Sequence, residues 1–235
     1  MSIFHRFLLA IWNWRVTLVL TSLLGLIFWF TLILNDPLKF PIRYVKVGGD
    51  TPHLTQFSVK SVVEPYAKKG FFSINLIALR RKLIAIPWVG AVDIRRKWPS
   101  TLSVQIKEAI PMARWNLSGL VTAKGDLFYP RLDSIPKSLP ELRGNEENKQ
   151  IMVENYAEMK RYFSKQAFSI KVLTLSPQFS WRISLNNGVD VILGAENVLV
   201  RSKRFVSVYE QLKRKGRPIK YIDMRYRHGV AVKWG

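Results

Sequence analysis

"PWVGAVDIRRKWPSTLSVQIKEAIPMARW", Pro87 to Trp115, is the stretch that decides the fold. Leu102, Val104 and Ile106 alternate with Thr101, Ser103, Gln105 and Lys107, the period-two pattern of a half-buried strand. Val92 and Ile94 place another strand before it, and Trp98–Ser100 form the turn between the two. Upstream, Leu76, Leu79, Leu83 and Ile86 make one helical stripe, with Arg80, Arg81 and Lys82 around the other side and Pro87 as the stop. Val59, Val62, Val63 and Tyr66 predict an earlier amphipathic helix, whose last turn Pro65 is expected to make irregular. "IRYVKVGG" reads as a strand with Val45 and Val47 on one face, ended by Gly48 and Gly49. The order is β-α-α-β-β over Ile42–Ile110, one sheet face covered by two helices.

Further upstream, Val16–Leu34 is a 19-residue run without charge, long enough to cross a bilayer as a helix. Trp12, Trp14 and Trp29 fit interfacial aromatics. A cleavable signal has a shorter apolar core followed by a small-x-small site, which "ILNDPLKF" lacks, so an uncleaved anchor is expected. Arg6 and Arg15 on one flank and Lys39, Arg43 and Lys46 on the other leave the orientation undecided. Asp36–Pro37 and Pro41 mark a short, stiff linker into the rest of the chain.

Downstream of Pro111 the pattern changes. Leu120–Val121 and Leu127–Tyr129 flank a turn with Gly125 available for positive φ. "IPKSLPELRGNEE" reads as a polar loop, and Met152, Tyr156, Met159 and Phe163 then stripe a helix. A strand is expected over Phe168–Leu175. Trp181, Ile183 and Leu185 lead into Asn186–Gly188, and Val189, Val191 and Leu193 return, the strongest hairpin signal in the chain. A basic helix from Asn197 to Lys215 buries Val198, Phe205, Tyr209 and Leu212 and ends at Gly216 and Pro218. In "YIDMRYRHGVAVKW", Tyr221–Trp234, parity predicts a hairpin with Arg227, His228 and Gly229 as its loop and Gly229 in the left-handed region. Tyr226 then faces Val230, Met224 faces Val232, and Ile222 faces Trp234. The fold class is α+β, with a mostly antiparallel, curved sheet that the last strand closes or edges.

A chain of 235 residues, 48% apolar, can bury a core in one or two domains. Cysteine is absent, which removes disulfides, thiol nucleophiles and Cys-type zinc sites. His5, His53 and His228 have no metal-ligand spacing partners, and no nucleophile-elbow, P-loop or dinucleotide motif occurs. Glu146–Glu147 reads as solvated charge, Asp190 follows a turn, and Asp223 alternates outward on its strand. No catalytic, cofactor or metal site is expected. The net charge of +21 suggests anionic neighbours. The clusters Arg80–Lys82, Arg95–Lys97, Arg201–Arg204 and Lys213–Lys215 lack the aromatic or recognition-helix companions of specific nucleic-acid binding.

A β-α-α-β-β module beside one anchor resembles a POTRA domain. Pro87–Trp115, "SWRISLNNGVDVILG" (180–194) and the 221–234 motif are similar, in that order, to stretches of the bacterial FtsQ/DivIB family. The resemblance implies a single-pass inner-membrane protein at the division septum. Its parts are a cytoplasmic tail (1–15), a span (16–34), a linker (35–41), a periplasmic POTRA domain (42–110) and a β domain (111–235). It implies a scaffold, not an enzyme, that binds FtsB and FtsL and stands with FtsK, FtsW and FtsI in the division complex. Such a scaffold links early and late division proteins and helps control septal peptidoglycan synthesis. In that family FtsB adds a strand to the last edge of the β domain. Carried over, the partner-binding residues are Arg225, Tyr226, His228, Gly229, Val230, Ala231, Val232 and Trp234, with partner carboxylates suited to Arg225 or Arg227. The family commonly has a small polar residue in place of His228 and a small one in place of Lys233. Two rivals remain at this level. One is a membrane-anchored basic adaptor for anionic lipid or cell-wall polymer, and the other is a POTRA-bearing assembly factor, which would normally continue into a β-barrel.

Overall fold

The structure, a computed structural model, describes residues 3–235; the side chains of Arg6, Trp12 and Arg15 lie outside the described residues. The chain divides into two compact units, Met1–Glu108 and Ala109–Gly235.

The first unit opens with helix α1 (Ile3–Leu34), whose Val16–Leu34 window has mean hydropathy 2.3 and is not buried at all. After it come β1 (Tyr44–Gly48), α2 (Gln56–Ala67), α3 (Leu76–Ile84), β2 (Val89–Lys97) and β3 (Thr101–Glu108). The two short helices begin where side chains satisfy their free N–H groups: Thr55 accepts from Ser58 N, and Asn75 accepts from Ala78 N at 2.9 Å. α2 runs on through Pro65 to Ala67. The proline removes one intrahelical bond, but the helix ends two residues later and loses little. In the sheet, β3 lies between β1, its parallel neighbour, and β2, its antiparallel one. Leu102, Val104, Ile106 and Val92 point into a core closed by Val59, Val63, Leu79 and Leu83. Each such side chain contributes about 1.5–3 kcal/mol by leaving water.

The second unit is built on a nine-stranded mixed sheet. Its strands are β4 (Pro111–Trp115), β5 (Gly119–Thr122), β6 (Leu127–Phe128), β7 (Glu141–Arg143), β8 (Ile170–Leu175), β9 (Trp181–Leu185), β10 (Asp190–Gly194), β11 (Ile219–Asp223) and β12 (Ala231–Trp234). In space they run β12-β11-β10-β9-β8-β7-β4-β5-β6. Parallel neighbours need long crossovers, and helices supply two of them: α4 (Lys149–Phe163) between β7 and β8, and α5 (Val198–Lys213) between β10 and β11. Phe163 of α4 and Phe205 of α5 stack at 5.8 Å, so both helices cover the same sheet face. Beneath them lie Trp181, Ile183, Val191, Leu193 and Ile222.

Two strands here, β4 and β7, are absent from the sequence expectations. β7 occupies part of the stretch read as a polar loop. It carries a buried carboxylate, Glu141, paired with Arg114 of β4 (3.1 Å) and with Arg143. The last hairpin also departs from its expected register. Ile222 pairs with Val232, Asp223 with Ala231 and Tyr221 with Lys233, a shift of two residues that keeps parity. The loop is therefore longer, and Gly229 is not among the described positive-φ glycines. Asp223 is buried, not outward.

Candidate functional site

The site begins with β12, which pairs with β11 on one side and, among the described residues, has no strand on the other. Amide direction alternates along a strand. Gly235 N donates inward to Pro218 O at 2.8 Å, so the amides of Lys233 and Ala231 also face β11. The N–H and C=O groups of Val232 and Trp234 accordingly face the open edge. Their side chains take part in the core: Val230, Val232 and Trp234 pack, partly buried, against the second unit's apolar cluster. Arg217 lies over the Trp234 ring, 5.0 Å from its centroid. Tyr226, by contrast, is 56% exposed, and Arg225, Arg227, His228 and Gly229 are exposed beside it. The structure thus gathers all eight expected residues at one end of the sheet, as an edge strand and the loop before it.

What shapes that loop explains the register. Met224 N continues β11's pairing to Ile192 O at 2.8 Å. Arg204, from α5, then donates to Met224 O (2.9 Å), Tyr226 O (2.7 Å) and Arg227 O (2.8 Å). Those carbonyls are held by a guanidinium, so this segment cannot extend the hairpin as the parity argument expected. Asp223 fixes the loop's start. Its carboxylate accepts from the Arg225 backbone N–H at 3.0 Å and from the Arg225 guanidinium at 2.7–3.0 Å. Burial works to raise the Asp223 carboxyl, but the Arg225 side-chain and backbone bonds outweigh it and hold it below the usual carboxylate range. Arg225 is therefore engaged within the chain, with part of its side chain still open to solvent.

Sequence reasoning missed Arg204 and Asp223. Arg204 was legible only as one member of a basic cluster. In the structure both Arg204 and Arg201, which donates to Leu193 O at 2.6 Å, serve backbone carbonyls. Between α5 and the loop runs a shallow groove of about 380 Å³, with Arg204, Val208 and Leu212 on the helix side and Arg227–Val230 on the other. Among the described residues no cluster of three His, Asp or Glu could hold a metal ion. The chemistry this arrangement offers is backbone pairing at an open strand edge, flanked by an aromatic ring and cations.

Comparisons with known proteins identify the family. Residues 113–225 match the family model described as cell division protein FtsQ/DivIB, C-terminal, and residues 40–109 match the POTRA domain, FtsQ-type. The chain is 30% identical to the cell division protein FtsQ of Coxiella burnetii, covering 86% of this chain and 83% of that one. It is 34% identical to the FtsQ of Allochromatium vinosum (85% and 80% covered) and 31% identical to that of Shewanella oneidensis (86% and 77% covered). With both of its units matched in order and one apolar helix ahead of them, the chain belongs to the FtsQ family of cell division proteins.

Proposed function

We propose that the protein is a non-enzymatic scaffold of the divisome that captures FtsB, and with it FtsL, by strand addition to β12. The observation that carries this is the unpaired edge of β12, where the Val232 and Trp234 amides face outward while their side chains stay packed. An incoming strand would complete the ladder through backbone bonds, and Tyr226 and the cations of the loop would select among candidate strands. Neither His228 nor Lys233 is needed for the backbone component. In this reading the amino-terminal end is cytoplasmic, α1 crosses the inner membrane, and both units stand in the periplasm at the septum. There the scaffold links early and late division proteins, FtsK, FtsW and FtsI among them, and helps control septal peptidoglycan synthesis.

Val232→Pro in the full-length protein tests it. Proline removes an outward N–H without touching the β11–β12 bonds, a position an edge strand tolerates. The expected outcome is loss of FtsB co-purification with the thermal unfolding transition retained. A folded variant that still captures FtsB in full excludes strand addition at this edge.

A further inference from the structure

The end of the first unit nearest the span carries a feature the strand-edge reading does not use. Directly after Leu34 the chain does not trail away as an extended linker. Asn35 and Asp36 continue α1's hydrogen bonds to Thr31 and Ile33, and Lys39 and Phe40 bond back to Asp36 O. The 70–73 turn is then fastened to this segment. Ser73 Oγ donates to Asn35 O at 3.0 Å, and Phe71 N donates to Phe40 O at 2.8 Å. Gly70 has φ +92°, and a Cβ there would meet Pro37 Cα at 2.9 Å, so the close approach requires glycine. A side chain of the folded module thus touches the first residue beyond the apolar window.

At that junction four aromatic rings cluster. Phe40 and Phe72 meet edge-on at 5.1 Å, as do Phe71 and Phe72, and Trp98 lies 5.8–6.4 Å from all three. Apolar surface remains uncovered: Trp98 is 68% exposed and Leu38 is 90% exposed. Lys39 and Lys97, the chain neighbours of Leu38 and Trp98, are exposed, as is Arg43, whose N–H bonds Ser100 O, against Asp36, which is half-buried. The combination of a Trp, exposed apolar surface and neighbouring cations suits the boundary between acyl chains and anionic headgroups. Its height fits as well. The headgroup layer is roughly 5–8 Å deep on each side of the hydrocarbon, and a helical turn advances about 5.4 Å, so the turn after Leu34 lies within that layer.

We propose that this face, Leu38, Phe40, Phe72 and Trp98 with Lys39 and Lys97, docks into the headgroup layer of the membrane that α1 spans, with a preference for anionic lipid. Continuity with the spanning helix and charge complementarity select lipid as the occupant. The module is then held against the bilayer at the β2–β3 turn, and β3 leads away from it toward Glu108.

The absence of cysteine permits single-site labelling of the full-length protein. Cysteine variants at Leu38, Lys97, Trp98 and Lys107 are labelled with an environment-sensitive fluorophore. Each is reconstituted in phosphatidylcholine vesicles with or without phosphatidylglycerol, and a headgroup-level spin-labelled lipid serves as quencher. Leu38→Cys is the depth reference, and Lys107→Cys, exposed near the far end of β3, is the aqueous reference. The expected result is quenching and a blue shift at Lys97→Cys and Trp98→Cys approaching those at Leu38→Cys, stronger with phosphatidylglycerol, and aqueous emission at Lys107→Cys. Aqueous emission at both Lys97→Cys and Trp98→Cys overturns the proposal, as does equal quenching at Lys107→Cys. Shielding seen in native membrane vesicles but not in pure lipid assigns the face to a protein partner and overturns it as well.

Discussion

Among the described residues the nine-stranded sheet ends in two edge strands, β6 and β12, and they are finished in opposite ways. β6 is two residues long and is followed by Tyr129, whose hydroxyl donates to Glu146, and by Pro130, which has no N–H to offer. Ahead of it, Thr122 and Asp126 close a compact turn through backbone and side-chain bonds. These are the ordinary means of blunting an edge. β12 has four residues, no proline, a single charge in Lys233, and outward amides at Val232 and Trp234. The edge strand β2 of the small sheet carries Asp93, Arg95, Arg96 and Lys97 and is protected by charge. The chain blunts β6 and charges β2 yet leaves β12 bare, and the proposed strand addition rests on that contrast. Openness also has a structural cost, because the loop before β12 must be held from a distance.

Removing that hold should give the largest effect. Arg204→Ala leaves the carbonyls of Met224, Tyr226 and Arg227 without their guanidinium and is expected to cost about 2–4 kcal/mol in urea unfolding of the full-length protein. Once freed, residues 224–225 can extend the hairpin in its existing register, so backbone amide exchange should report protection of the Gly229 N–H, opposite Arg225, in the surviving folded fraction. An unchanged unfolding midpoint would show that the loop holds itself. Asp223→Asn comes next, at about 1–2 kcal/mol at neutral pH, because it removes the charge-assisted bonds to Arg225. The carboxyl is held below its ordinary value of 3.8 in the fold. Its stabilisation is therefore fully present above about pH 4 and fades as pH falls toward the lowered folded value. The gap between the native protein and Asp223→Asn should then shrink in acid; a gap constant with pH would mean that the Asp223 charge contributes nothing.

The same contrast explains what could be read from the sequence. Strands that bury one face, such as Leu102–Val104–Ile106 or Trp181–Ile183–Leu185, announce themselves by alternation, and all six of those residues are buried. The helix stripe Met152, Tyr156, Met159 and Phe163 is likewise buried throughout. β7 gave no such signal. Its three residues, Glu-Leu-Arg, look like loop until Arg114, from a strand distant in sequence, arrives to neutralise Glu141. The register of the last hairpin failed for the same reason. Parity is local, whereas the three carbonyl bonds that displace the loop come from Arg204, some twenty residues upstream. The eight expected contact residues came from the family resemblance, carried onto a bare apolar strand beside Gly229 that is itself a local pattern. What positions them is not.

On the blunted side, Tyr129→Phe removes the hydrogen bond to Glu146 that pushes the Tyr129 phenol up to about 12, with burial and the Glu146 charge adding to the shift. The ring is 48% exposed, so solvent discounts the loss to about 0.5 kcal/mol. A raised phenol stabilises the fold below its ordinary value of 10, and that contribution is lost as pH rises from 10 through about 12. Spectrophotometric titration should accordingly lose one late-ionising tyrosine in the variant. Retention of the full late phase would place that ionisation elsewhere, on Tyr156, whose burial pushes it to about 12 too.

The smallest effect is expected where the open edge carries its only charge. Lys233 is exposed, and its amide faces β11 while its side chain lies on the face opposite Val232 and Trp234. Lys233→Ala should change stability by no more than about 0.5 kcal/mol. It should also leave capture of the partner strand unchanged at moderate salt, because the outward amides on either side of it are untouched. If a lysine were the gatekeeper here, as on many protected edges, its removal would instead produce self-association at the bare strand, visible as dimers in sedimentation. A monomeric Lys233→Ala protein that still binds its partner would mean that the edge is kept single by its four-residue length and by the packing of Val232 and Trp234, with no charge required.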